Sequence, residues 1–311
     1  MSAVKCGVFK GYGLFVSDVD KAETYYRNLG LSVKGHTSGQ LEKDDFLGTP
    51  THKYRLVRLD IVSGGGELEL LELSIEGRRV EKMDNANPGT SHICWYVNSL
   101  QQAWEFLEKE GVRMVSSSLV DVPNGPMEGG RAVYLHGFDD SRVELLEGDV
   151  YLDLSRRPDV FSEFPEHAAS EFSHLGVHVT SLEKSLPFYR DTLGLELVAE
   201  WFIDEEYVKK VVGYPTVKLN MALFRLPGTD AFLEVIEYQD VVKEPILNGP
   251  MTLGACKLMF SVESLDRFLE GLCSGGAELN FKKYSGGIRN TRSVLLRDPD
   301  GILIEVVEQA A

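Results

Sequence analysis

The sequence repeats itself, and this repeat limits the fold more than any other feature. Residues 9–31 read FKGYGLFVSDVDKAETYYRNLGL, and residues 172–195 read FSHLGVHVTSLEKSLPFYRDTLGL. The match continues in register, because RVELLEG at 142–148 corresponds to LIEVVEQ at 303–309. Self-similarity of this length indicates copies of one structural unit. We predict two homologous domains, residues 1–150 and 171–311, joined by a polar linker at residues 151–170.

Each predicted domain repeats once more within itself. A strand-like alternation is followed by an amphipathic helical segment that Gly30 ends, and then by further alternating segments. The same cycle starts again at residue 92, with HICWYV as its first strand. The fold class is therefore α+β, made of four βαβββ units. We place the units at about residues 6–75, 88–150, 171–240 and 252–311.

Charge and composition narrow the class of protein. Lys and Arg number 32 against 48 Asp and Glu, a formal net charge of −16, which disfavours nucleic acids and anionic membranes as partners. No apolar run approaches the ~20 residues that span a bilayer. The four cysteines form no C-x-x-C pair. We expect a cytoplasmic protein whose partner is a small-molecule substrate, and the sequence leaves a homodimer open.

Three motifs carry a family resemblance. YYRNLGL at 25–31, FYRDTLGL at 188–195 and RDPDGILIEVVE at 297–308 resemble the vicinal oxygen chelate (VOC) superfamily, which includes glyoxalase I, methylmalonyl-CoA epimerase, fosfomycin-resistance proteins and extradiol dioxygenases. The resemblance covers nearly the whole chain, although GFDD at 137–140 replaces DPDG in the first domain. It implies two tandem glyoxalase-like domains, each with a curled open cleft. A divalent metal ion would bind there to side chains from four equivalent strand positions.

The resemblance assigns four such positions to each domain. One ligand per strand is expected, since alternation along a strand sends every second side chain into the cleft; His92, Cys94 and Tyr96 should face the cleft. The positions are Gly11, Glu69, His92 and Glu144 in the first domain, and His174, Glu234, Lys257 and Glu305 in the second.

Charge favours the first domain for the metal ion. Glu69, His92 and Glu144 would neutralise a divalent ion and leave coordination positions open. The alternative set is His174, Glu234 and Glu305, where an ammonium group at Lys257 would repel the ion or pair with Glu234 or Glu305. Mn, Fe, Co, Ni and Zn all accept these donors.

These residues predict a metal-dependent isomerase or epimerase, or a glyoxalase-type lyase, acting on a small oxygen-rich carbonyl substrate through a metal-stabilised enolate. Glu144 or Glu69 would serve as both ligand and catalytic base. We expect Lys257, His178 and Arg55 to contact substrate, with His178 acting as an acid or base or only as a polar wall.

Two other functions stay open. An extradiol ring-cleaving dioxygenase needs iron on two histidines and one carboxylate, and neither domain alone has both histidines. The other alternative is a small-molecule binding or resistance protein without metal.

Overall fold

The computed structural model describes residues 6–41, 52–61, 66–124, 128–148, 168–274, 282–286 and 291–309. The predicted linker at 151–170 lies outside these residues except for 168–170. Among the described residues, no helix is long and apolar enough to cross a membrane.

The observed elements follow the predicted cycle of strand, helix and three strands. The first domain contains β1 (Val8–Val16), α1 (Val19–Asn28), β2 (Ser32–Leu41), β3 (His52–Asp60), β4 (Glu67–Leu73), β5 (Arg79–Val80), β6 (Ser91–Val97), α2 (Leu100–Lys109), β7 (Val120–Asp121), β8 (Arg131–His136) and β9 (Arg142–Glu147). The second contains β10 (Ala169–Val179), α3 (Leu182–Pro187), β11 (Glu196–Ile203), α4 (Glu206–Val212), β12 (Lys218–Arg225), β13 (Phe232–Gln239), β14 (Thr252–Leu253), β15 (Cys256–Val262), α5 (Leu265–Ser274), β16 (Lys282–Gly286), β17 (Thr291–Arg297) and β18 (Leu303–Glu308).

A glutamate at the end of one strand caps the helix of each unit. The carboxylate of Glu72 accepts a hydrogen bond from the backbone N–H of Val19 at 2.8 Å, and Glu237 accepts from Leu182 at 3.0 Å. A carboxylate at a helix N-terminus satisfies an open N–H group and opposes the helix dipole. In the other two units, the carboxylate of Glu147 accepts from the backbone N–H of Leu100, and that of Glu308 accepts from Leu265.

The strands form two eight-stranded sheets, and each sheet combines units from both domains. The first sheet has the order β16-β17-β18-β15-β1-β4-β3-β2, and the second has β11-β12-β13-β10-β6-β9-β8-β7. The central contacts are antiparallel: β1 lies beside β15 with Gly13 opposite Lys257, and β10 lies beside β6 with Gly176 opposite His92. The first unit therefore pairs with the fourth, and the second with the third.

This pairing corrects the expectation that each domain builds a cleft from its own two units. The first strands of all four units are equivalent, so the repeat itself does not determine which two pair. The segments that join the two units within each domain cross from one sheet to the other, and β5 and β14 within them pair in parallel.

Alternation along the strands separates the core from the clefts as predicted. Ile93, Trp95 and Val97 of β6 lie in the main hydrophobic core with residues from the helices. Cys94 and Tyr96 point to the other face, where they join a second apolar cluster together with α4. A third cluster lies on the inner face of the first sheet.

Candidate metal centre

Four donor atoms converge on the inner face of the second sheet. His174 Nε2 lies 3.0 Å from Glu144 Oε2 and 3.2 Å from His92 Nε2. Glu234 Oε2 lies 3.5 Å from His174 Nε2 and 3.6 Å from His92 Nε2. All four side chains are at most 4% exposed. We call this group, on β6, β9, β10 and β13, the histidine cleft.

These distances fit a metal ion. Ligand atoms ~2.1 Å from a common centre lie about 3.0 Å apart at right angles and about 3.4 Å apart at tetrahedral angles. The five distances between a histidine nitrogen and another donor in the histidine cleft run from 3.0 to 3.6 Å. Two imidazoles and two carboxylates also match the donors of borderline divalent ions. The residues present therefore fit the ion that the resemblance implies.

The inner face of the first sheet carries a different group. Lys257 Nζ lies 3.0 Å from Glu69 Oε2 and 2.7 Å from Glu305 Oε2, and all three residues are buried. The ammonium group holds the two carboxylates together in the place that an ion would occupy. We call this group the lysine cleft. The sequence had predicted Glu305 as one partner of Lys257, but its second partner is Glu69 rather than Glu234.

The predicted ligand sets are therefore regrouped. Glu69 is separated from His92 and Glu144, and Glu305 from His174 and Glu234, because the two sheets exchange units. The prediction that Glu69 lies in one cleft with Glu144 is wrong for the same reason, and a catalytic role for Glu144 or Glu69 stays a prediction. That His92, Glu144, His174 and Glu234 bind a metal ion stays a prediction.

Glycine opposite the histidine makes room for its ring. A Cβ atom at Gly176 would lie only 1.9 Å from His92 Cε1. At the equivalent Gly13, a Cβ would meet the flexible side chain of Lys257 at 2.7 Å. Gly11, which matches His174 in sequence, has φ of +145°, and its Cβ would lie 2.0 Å from the backbone oxygen of Glu67. Gly11 therefore cannot be replaced by a ligand residue without moving the strand.

Hydrogen bonds behind His92 determine which of its nitrogens faces the other donors. The hydroxyl of Thr90 lies 2.7 and 3.0 Å from the backbone oxygens of Asn87 and Asp84, which can only accept its hydrogen, and we therefore assign it as the acceptor of His178 Nδ1–H at 2.7 Å. Burial, followed by the charges of His92 and Arg142, lowers the pKa of His178 well below 6.5. His178 is therefore neutral, and its Nε2 accepts from His92 Nδ1 at 3.0 Å. We assign the free lone pair of His92 to Nε2, which points at the other donors.

Charges in the histidine cleft favour cations. Burial lowers the pKa of His174, but the carboxylates of Glu234 and Glu144 outweigh it and leave the pKa raised. Burial, with the same two carboxylates, raises the pKa of the Cys94 thiol well above 9.0. Cys94 nevertheless has its sulfur close to Glu144 and His174, on the cleft face where alternation predicted it. The site thus attracts positive charge and disfavours a thiolate.

An apolar cover closes the histidine cleft. Helix α4 packs over the donors with Tyr207, Val208, Val211 and Val212, and the walls include Ile203, Met221 and Tyr134. The free space beside Glu144 and Glu234 is about 40 Å³, far below the ~300 Å³ at which small-molecule sites begin. This space therefore does not hold a small-molecule substrate unless the apolar cover rearranges.

The three residues predicted to contact substrate lie elsewhere. Arg55 is on the helix-facing side of β3, exposed, and pairs with Asp20 and Glu72. Lys257 lies in the lysine cleft. His178 lies behind His92 and does not border the cavity. The Arg55 prediction is wrong because alternation directs its neighbour Leu56, and not Arg55, to the inner face.

Sequence comparison assigns the family. Models of the glyoxalase/bleomycin resistance protein/dioxygenase superfamily match residues 12–134 and 171–306. The chain belongs to this superfamily, which is the VOC superfamily, as a tandem two-domain member. Comparison with curated protein sequences gives no match.

Solved structures show the same fold at low identity. Glyoxalase I from Zea mays is 17% identical with a TM-score of 0.62, and the alignment covers 97% of this chain and 92% of the maize chain. A candidate dioxygenase from Bacillus subtilis is 14% identical with a TM-score of 0.60, and the alignment covers 100% of this chain and 87% of the other. At these identities the likeness supports the fold and leaves the reaction to be argued from the site.

Proposed function

We propose that the protein is a divalent-metal-dependent isomerase, epimerase or lyase that removes a proton from the carbon next to a carbonyl group. The observation that carries this proposal is the convergence of two histidine nitrogens, which lie 3.2 Å apart and each 3.0 to 3.6 Å from two glutamate oxygens, in a buried cleft. His92, Glu144, His174 and Glu234 would hold the ion. When bound, it supplies a Lewis acid that stabilises the negative charge developing on the substrate oxygens.

The chain's own residues supply the proton transfer. Glu144 and Glu234 both border the cavity, so either carboxylate reaches a substrate that enters beneath α4. We keep Glu144 as the candidate base, with Glu234 as the second. When α4 covers the site, its valines limit the access of bulk water, and the carboxylate that holds the proton exchanges it with solvent each time the cover opens.

The cavity wall indicates the substrate's other end. Apart from the carboxylates, the residues around the cavity are apolar or aromatic, and no Lys or Arg is among them. The hydroxyl of Tyr207 is buried there without a hydrogen-bond partner among the described residues. We therefore propose an α-hydroxy carbonyl group carrying an uncharged, apolar or aryl substituent, with Tyr207 donating to one of its oxygens.

The number of donors bears on the dioxygenase alternative. The two histidines come from different domains, so the sequence argument against ring cleavage fails. Iron oxygenases of the two-histidine, one-carboxylate type keep three positions open for substrate and O2. A fourth protein donor, Glu234, leaves an octahedral ion only two open coordination positions. Proton transfer needs no more than two open positions, so we rank the proton-transfer function above ring cleavage.

Metal content tests the site. We expect protein purified without chelator to contain about one divalent ion per chain. His174→Ala and Glu144→Gln should each lose it. Glu305→Gln, the matched change in the lysine cleft, and His36→Ala, at an exposed histidine paired with Glu23, should retain it. Metal that survives in His174→Ala but disappears in Glu305→Gln would contradict the assignment.

Proton exchange tests the reaction. The loaded protein should exchange the α-protons of 2-hydroxyacetophenone in D2O, followed by proton NMR, and the exchange should be ~10²-fold slower or more in both His174→Ala and Glu144→Gln, which lose the ion. Loaded protein that leaves these protons in place but consumes O2 with 4-methylcatechol would contradict the proposal and support ring cleavage.

A further inference from the structure

The lysine cleft contains a cavity for which the proposed reaction has no use. Its volume is about 620 Å³, within the range of small-molecule sites. Arg58 on β3, Glu69 on β4, Ser261 on β15 and Thr291 on β17 line it. Because Lys257 already bridges the carboxylates of Glu69 and Glu305, a divalent cation is not a suitable occupant.

Arg58 gives this cavity a preference for anions. Its Nε is buried without a hydrogen-bond partner, and its guanidinium makes no hydrogen bond or ion pair with the described residues. Its neighbour across the strands is Glu69, but Lys257 Nζ already holds that carboxylate at 3.0 Å. A buried unpaired donor is costly, and a guanidinium offers two parallel N–H groups that match a carboxylate.

Two hydroxyl groups line the same cavity from the other half of the sheet. Thr291 Oγ1 is buried and has no partner among the described residues. Ser261 is fully buried, and its oxygen accepts from Gln309 Nε2 at 3.0 Å, which leaves its hydroxyl hydrogen for a further acceptor. Both residues also line the cavity. An anion at Arg58 would therefore find hydroxyl donors in the same space.

We propose that the lysine cleft is a metal-free binding site for a small organic monocarboxylate. The charge balance sets the class. Arg292 is shared by Glu308 and Asp266, and Lys257 is shared by Glu69 and Glu305. Arg58 is the guanidinium of the described lining that has no carboxylate partner, and one carboxylate supplies the charge that it lacks. A dianion would leave excess negative charge in a chain whose net charge is already −16.

Benzoate and benzamide provide the probe pair, because they share a shape and differ in charge. The titrations use chelator-treated protein, with saturation-transfer NMR as the readout, so the result does not depend on the metal centre. We expect benzoate to bind and benzamide not to bind. Arg58→Gln should weaken benzoate binding ~10-fold or more, the loss expected for a charge-assisted hydrogen bond. Arg55→Gln, on the opposite face of the same strand, should leave it unchanged.

Further variants keep the test decisive if Arg58→Gln proves unstable. Arg58→Lys keeps the charge but loses the planar pair of donors, and should give intermediate affinity. Thr291→Val removes one hydroxyl and should weaken binding a few-fold. Equal binding of benzamide, or benzoate binding that survives Arg58→Gln but is lost in His174→Ala, would overturn the proposal. Displacement of benzoate by an equal concentration of inorganic phosphate would overturn the restriction to monocarboxylates.

Discussion

Replacing His178 should weaken metal binding although His178 is not a ligand. His178 Nε2 accepts the hydrogen of His92 Nδ1 at 3.0 Å, and Thr90 holds the other side of the ring at 2.7 Å. Phenylalanine at 178 fills similar space but accepts nothing. His92 would then keep a buried N–H without a partner, or would turn its hydrogen toward the other donors.

The size of the effect follows from that unpaired group. Leaving a buried donor unsatisfied costs about 1–3 kcal/mol, which corresponds to roughly 5- to 150-fold in an equilibrium constant. Loss of outer hydrogen-bond partners at metal sites costs 10- to 100-fold in affinity. We therefore expect His178→Phe to raise the Kd for Co²⁺ or Mn²⁺ by about 10- to 100-fold, measured by competition with a fluorescent chelator.

A matched variant separates hydrogen bonding from packing. His178 also stacks on His92 and meets Tyr238 edge to face, so a new side chain disturbs both. His178→Gln offers an amide oxygen to His92 Nδ1 and should keep affinity within about 3-fold. Thr90→Val removes only the hydroxyl that accepts from His178, and its metal affinity should lie between those of the Gln and Phe variants. Equal losses of metal affinity in the Gln and Phe variants, or no loss of affinity in the Phe variant, would refute the tautomer assignment.

Three other perturbations test the rest of the structure. Gly176→Ala places a Cβ 1.9 Å from His92 Cε1 and should lower Co²⁺ affinity ~100-fold or more, whereas Gly13→Ala should leave it unchanged in the same titration. Lys257→Met leaves the buried carboxylates of Glu69 and Glu305 without their shared ammonium group and should cost about 3–5 kcal/mol in urea unfolding. The triple variant with Glu69→Gln and Glu305→Gln should recover most of this loss; no recovery would contradict the charge argument. Burial raises the pKa of Asp298 to about 6, so the folded state binds this proton more tightly than the unfolded state, and stability falls as pH rises from 4 to 6. Asp298→Asn should therefore stabilise the protein at pH 8 by up to about 3 kcal/mol, and the gain should shrink toward zero near pH 4 in urea unfolding; an equal gain at both pH values would contradict it.

Local structure was predictable from sequence because local rules determine it. Asp18 caps α1 by accepting from the backbone N–H of Lys21, and α2, Leu100–Lys109, follows the strand with which the second cycle was predicted to start. The two faces of β6 also follow from alternation. The capping glutamates were missed, although their signal is present in the sequence. Glu69 and Glu72, or Glu144 and Glu147, are three residues apart and must therefore face opposite sides of one strand.

The grouping of donors was not predictable from one sequence, because equivalent strands compete for the same partners. Sequence order placed His92 with Glu69, whereas the sheet places it with His174 on β10. The tautomer of His92 depends on Thr90 and on two backbone oxygens, and these contacts exist only after folding. The sequence therefore identified His178 as a candidate residue but predicted that it contacts substrate, whereas its ring contacts His92.

The two clefts show how one side chain can decide between an ion and an ammonium group. Glu234 and Glu144 occupy the same strand positions as Glu69 and Glu305, and His92 occupies that of Lys257. A neutral imidazole leaves two buried negative charges to be neutralised by something from outside, so it favours an ion. A lysine neutralises one of them and fills the space between them. The remaining difference lies on the neighbouring strand, where His174 of β10 adds a donor beside His92 and the equivalent Gly11 of β1 cannot add one beside Lys257. A Lys257→His change alone should therefore produce at most a three-donor site, weaker than the histidine cleft in the same Co²⁺ titration, because the backbone at Gly11 excludes the fourth donor.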